Sequence, residues 1–290
     1  MQLFFFVLII FSLTLIIGFS FSIVYQSSKF FNFAKAIIIT FAPYFTYLFF
    51  IQFQFSIFLS IPLSIICATV IGILSEITLY KPLRKRNASH VMLMLSSLGL
   101  YIVLQNVISL FWSDNILSVR TEAIRVGREF FGAVITDIQI ITIAVCLTMF
   151  IFCILFMKYS RIGRNMRAVA SNPKLSNVVG IPSDRVILWA FGIGSALMAV
   201  VGVLIAFDTD MRPTMGFSWL VYGVVAMIIG GVGSNLGLIG GALLLVTAQY
   251  LTIYYIGSQW MNAVAYVILI LFLIVKPLGF SGKRLKKVEI

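Results

Sequence analysis

Apolar runs recur along this chain at lengths that fit a lipid bilayer. Residues 3–25, 36–53, 57–80, 91–112, 138–157, 186–207 and 260–275 are each mostly hydrophobic, and a spanning helix needs about 20 such residues. A further apolar region, 219–256, is broken by glycines and is long enough for two passes, one of them short. The pattern predicts eight or nine spanning helices. It predicts an all-α, polytopic membrane protein, because backbone polar groups in lipid must be paired within the protein. Met1 to Tyr25 lacks a positive leading segment and a small-residue cleavage site, so it reads as a first span rather than a signal peptide.

Composition agrees with the pattern. Of 290 residues 61% are hydrophobic and 10% charged, against roughly a quarter charged in soluble domains. The net charge of +12 raises the question of a nucleic-acid partner. Its distribution argues against one, because the positive residues sit in short loops between apolar runs and so read as topology signals. Lys81, Arg84, Lys85 and Arg86 crowd one loop. Lys158, Arg161, Arg164, Arg167 and Lys174 crowd a second, and Lys276, Lys283, Arg284, Lys286 and Lys287 crowd the tail. Placing all three in the cytoplasm puts the N-terminus outside, with Lys29 and Lys35 on the cytoplasmic side. The loop 113–137 then lies outside, where Asp114, Glu122, Glu129 and Asp137 offset Arg120, Arg125 and Arg128. Cys67, Cys146 and Cys153 lie in apolar runs and read as small buried hydrophobes. The single histidine, His90, reads as a solvated loop residue.

The segment from Lys158 to Arg185 stands out, with six Lys or Arg and one acid between two membrane-grade runs. On a helix, Ile162, Met166 and Val169 form a narrow apolar stripe, opposite Arg161, Arg164 and Arg167. A second, short helix follows, with Asn172 as N-cap, Pro173 at the first helical position and Gly180 just past the end. Leu175, Val178 and Val179 lie between. Two readings stand at this point. One is a topology-setting loop whose arginines meet anionic lipid. The other is a docking element for a cytoplasmic subunit.

Other polar positions carry paired readings as well. Gly230, Gly231, Gly233, Gly237, Gly240 and Gly241 give overlapping small-xxx-small patterns that favour close helix packing. They also suit a broken helix lining a pathway, with Ser234 and Asn235 at the break. Gln105 and Asn106, within an apolar helix, read as interhelical glue or pathway lining. Asn32 reads as a helix cap or a solute contact. Glu76 reads as a partner for Arg84 or as part of a relay of partner motion. Asp208, Asp210 and Arg212 read as a solvated outer edge or as a contact for a protein on that side.

Several stretches together resemble one family. Arg161-Ile162-Gly163-Arg164, Arg167-Ala168-Val169-Ala170-Ser171-Asn172, Val179-Gly180-Ile181 and Asp184-Arg185-Val186 resemble the coupling-loop region of ABC importer permeases of the branched-chain amino acid type. Tyr25 to Lys35, Glu76 to Arg86, Leu98 to Asn106 and the glycine-rich Gly230 to Gly241 resemble four further regions of that family, in the same order. The departures are Lys35 and Ala36 in place of the family's His-Gly, Ile37 in place of an acid, and Ala42-Pro43-Tyr44 in place of Gly-Ala-Tyr.

The resemblance implies a single permease domain, 1–290, in the bacterial inner membrane, with 158–185 as its cytoplasmic coupling loop. It implies ABC ATPase subunits, a second homologous permease and an extracytoplasmic solute-binding protein as partners. Arg161, Gly163, Arg164, Arg167, Ala168, Leu175, Val178, Val179 and Gly180 would then couple to the ATPase. Branched-chain amino acids are the solutes it implies first; urea and short amides are the alternative. The chain itself carries no Gly-x-x-x-x-Gly-Lys-Ser/Thr phosphate loop and no ligand-spaced metal cluster, so it reads as a transport subunit without enzymatic activity or cofactor. A self-sufficient carrier or channel is the competing class. Proton coupling would call for a titratable group in the membrane, and the spans are nearly free of Asp, Glu, Lys and His.

Overall fold

In the computed structural model, residues 1–120, 127–130, 132–276 and 279–280 are described. Glu122 and Arg125 of the outer loop, and Lys283, Arg284, Lys286 and Lys287 of the tail, lie outside the described residues. Helices α1 (Gln2–Ser28) and α2 (Lys35–Tyr47, extended by a π-helical turn Leu48–Gln52) open the chain. Helix α3 (Ile57–Ser75) passes through a π-helical turn, Glu76–Tyr80, straight into α4 (Lys81–Lys85). Then come α5 (His90–Trp112), strands β1 (Arg128–Phe130) and β2 (Ala133–Ile135), and α6 (Asp137–Tyr159). Two surface helices follow, α7 (Arg161–Ser171) and α8 (Pro173–Val178). The last four are α9 (Ser183–Asp208), α10 (Met215–Gly230), α11 (Asn235–Tyr255) and α12 (Met261–Val275).

Among the described residues eight helices are long and apolar enough to cross a membrane, and α10, at 16 residues, is a short ninth. The region 219–256 is therefore two helices with a turn between them. A small departure from an all-helical chain lies in the outer loop, where β1 and β2 pair antiparallel, Glu129 opposite Val134. The rule that forbids open strands applies to lipid-exposed backbone, and a loop in water is free of it.

The chain divides into two compact units. One comprises Met1–Ser22, Glu122–Ile154 and Val221–Ile290; the other comprises Ile23–Thr121 and Leu155–Leu220. In the first, α1 and α10 meet backbone to backbone at Gly18 and Gly223, where a Cβ on Gly18 would stand 2.9 Å from the Gly223 carbonyl oxygen. In the second, α2, α3 and α9 pack against one another, and a Cβ on Gly202 of α9 would overlap the Ile39 carbonyl of α2. Small residues at such crossings let helices approach where lipid supplies no hydrophobic drive between them. Helix α9 is the most enclosed, with 78% of its apolar stretch buried, against 6% for the span ending in α12. The outward faces of α3, α5 and α6 carry bare apolar side chains such as Phe58, Leu110 and Phe152, as lipid-facing surfaces do.

Candidate functional site

The corner between α6 and α7 is built from residues the sequence singled out. Ser160 caps α7, accepting a hydrogen bond from the Gly163 N–H at 2.9 Å. Gly163 lies so close to the end of α6 that a Cβ would stand 2.6 Å from the Met157 Cα. The last carbonyls of α6 are orphans by geometry, and arginines satisfy them. Arg164 donates to the Tyr159 carbonyl at 2.8 Å, and Arg167 donates to those of Met157 and Lys158. The apolar stripe faces inward, with Met166 and Val169 buried and Ile162 partly so, while Arg161, Arg164 and Arg167 are exposed and Ala168 half-buried. At the other end of α7, Lys29 donates to the Ala170 carbonyl, and its partial burial holds its ammonium below the usual lysine range.

Helix α8 follows directly. The Asn172 side chain accepts from the Leu175 N–H at 3.0 Å, with Pro173 at the first position. Gly180 has φ +86°, the left-handed conformation that ends a helix at little cost only for glycine. Leu175, Val178 and Val179 are 60%, 83% and 72% exposed. Among the described residues nothing covers this apolar tip, which is raised on a polar stem. The Asn177 side chain then accepts from the Ser183 N–H at 2.9 Å, tying α8 to the start of α9.

The polar positions within the spans sort differently from the sequence reading. Lys35, placed there in the cytoplasmic layer, is buried; its Nζ donates to the Phe191 carbonyl at 3.0 Å and to Ser195 Oγ at 2.7 Å, both on α9. The physical reason is that Lys35 begins α2 where α9 presents two acceptors. Glu76 is also buried and accepts both terminal nitrogens of Arg84. Among the described residues, Lys35 and Glu76 are thus charged side chains buried in the spans, and both are held by partners. Asn32 is not a cap: Ala34 stands at the N-cap of α2 without side-chain capping, and the Asn32 side chain accepts from the Tyr80 hydroxyl at 3.1 Å. It lines a cavity of about 10 Å³ together with Lys35, Ser75 and Leu104, room for about one water and far too little for an amino acid.

Asn106 is exposed and its amide turns back to the Ile102 carbonyl of its own helix at 2.8 Å, while Gln105 is half-buried. Neither reaches another helix of this chain through a described bond. Ser234 caps α11, accepting from the Gly237 N–H at 3.0 Å, and Asn235 is exposed beside it. Gly231 and Gly233, at φ +91° and +88°, make the turn. Gly230, Gly237 and Gly241 let α10 and α11 touch through backbone, and a Cβ on Gly241 would stand 2.7 Å from the Gly230 nitrogen. Arg120 pairs with Asp210 and Arg128 with Asp137. Arg120 thus meets the edge after α9 rather than the acids of its own loop, and its hydrogen bond holds the Asp210 carboxyl below the usual range.

Sequence reasoning missed Gln249, a fully buried glutamine of α11. An amide inside an apolar run was the available signal. It missed Tyr80 and Ser195 as well, because their roles depend on partners far along the chain.

Residues 3–273 match the family described as branched-chain amino acid transport system / permease component. The high-affinity branched-chain amino acid transport system permease protein LivH of Salmonella typhimurium is 33% identical over 225 residues, which is 76% of this chain and 72% of LivH. BraD of Pseudomonas aeruginosa, named as the same kind of permease, is 33% identical over 76% of this chain and 73% of its own length. Among solved structures, PsaBC from Streptococcus pneumoniae in complex with Fab matches with TM-score 0.52 and 11% identity, over 93% of this chain and 91% of that one. At that identity the likeness speaks for the fold alone.

Proposed function

Because this chain belongs to the family of branched-chain amino acid transport permease components, we propose that it forms the translocation path of an ATP-driven importer for branched-chain amino acids. It is a multi-pass inner-membrane transport subunit. The full chain acts as one permease domain, with 158–185 as its cytoplasmic coupling loop. A second permease, two ATPase subunits and a solute-binding protein on the outer side complete the machine. The observation that supports this reading most is the bare apolar tip of α8, Leu175, Val178 and Val179, at the head of the most buried helix. An ATPase groove covers that tip, and closure of the ATPase pair moves α8.

A corner clamped by Arg164, Arg167 and Lys29 suits this role. It makes α7 a stiff stem, so that force on α8 is delivered to α9 instead of being lost in loop bending. The test is co-purification from detergent with the phosphate-loop ATPase of the same system. The wild-type chain is expected to retain the ATPase, and a chain with Leu175→Asp to lose it. Equal retention would remove α8 as the docking element.

A further inference from the structure

Four charges in the second unit form a ladder of contacts that ties α2, α3 and α4 to α9. Asp184, in the first turn of α9, lies 3.8 Å from the Arg84 guanidinium. Arg84 grips Glu76 on the same continuous α3–α4 rod, which fixes the guanidinium that faces Asp184. Lys35 donates to Phe191 and Ser195, back on α9, and packs its ammonium 4.9 Å from the centre of the Phe191 ring. Gly72 of α3 closes the third side, since a Cβ there would overlap Ser195 Oγ. Helices α2 and α3 are therefore strapped to about three turns of α9, from Asp184 to Ser195. Glu76 is also the first residue of a π-helical turn, an irregularity found often at functional sites.

The buried Lys35 ammonium on its two α9 acceptors does not slide, because separating them leaves an uncompensated charge in a medium of low dielectric. We propose that Glu76 and Lys35 are positioning residues of the transport stroke: displacement of α8 shifts the base of α9, and the ladder compels α2 and α3 to move with it. This rests on the importer reading above.

The experiment uses the whole importer in proteoliposomes, with leucine as probe, and measures solute moved per ATP hydrolysed. Ser195→Ala keeps every charge and removes one hydroxyl that Lys35 grips. Lys35→Met with Glu76→Gln removes both charges together, so no new lone lysine or glutamate is buried. Both variants are expected to assemble and hydrolyse ATP, with the ratio reduced about tenfold in the double variant and several-fold in Ser195→Ala, the range of ordinary coupling energies. A wild-type ratio in the double variant means the charges serve stability alone, and overturns the proposal. If the double variant does not assemble, Ser195→Ala decides, and a wild-type ratio there overturns it equally. Wild-type uptake that ignores ATP would instead sink the importer reading.

Discussion

At the scale of single residues, distance along the chain decided what could be read. Asn172 and Gly180 were legible because a cap and a helix stop are local chemistry, set by a partner three residues away or by one φ angle. Asn172→Ala is expected to cost the short helix about 1 kcal/mol, seen as faster amide exchange at Leu175; unchanged exchange would contradict the cap. Lys35 was not legible. Its neighbours look like a basic turn, and its acceptors lie 156 and 160 residues away. Arg164 and Arg167 were legible as exposed cations but not as caps on α6. Gly237 is the sharpest steric case, since any side chain there meets the Gly230 carbonyl. Gly237→Leu is expected to abolish uptake and to lower the yield of folded protein in the membrane. Normal uptake with normal yield would count against the α10–α11 packing.

Elements were more legible than residues, since membrane helices announce themselves by length and hydropathy. The predicted spans fall within a few residues of the observed helices, and 219–256 resolved into α10 and α11 at its glycines. The continuation of α3 through the π-helical turn into α4 was missed, because Lys81 and Pro82 read as the start of a loop. Proline is tolerated in a first helical turn, and a π-helical turn ahead of it absorbs the change. The β1–β2 hairpin was missed because short strands leave a weak pattern. For α8, the exposed Val178 and Val179 carry the prediction. Replacing both with Asp is expected to leave insertion and yield unchanged, since both are largely exposed, while uptake falls to background and the ATPase is no longer governed by solute. Normal transport by that variant would reduce the loop to a topology signal.

For the whole molecule, the account rests on energy entering from outside the chain. The described ionisable groups buried in its spans, Lys35 and Glu76, are committed to partners, which leaves them poorly suited to carry protons across a membrane. The fold places a bare apolar helix at the head of its most buried span, an arrangement that makes sense for a subunit pushed by another. Solute choice was the least legible property, since the cavity beside Asn32 is water-sized. The most direct measurement is uptake of radiolabelled leucine into proteoliposomes holding this permease, its ATPases and its binding protein, with ATP or an ion gradient supplied separately. The account predicts accumulation that requires ATP and the binding protein and ignores the gradient. Accumulation by this chain alone, driven by the gradient and indifferent to ATP, would contradict it.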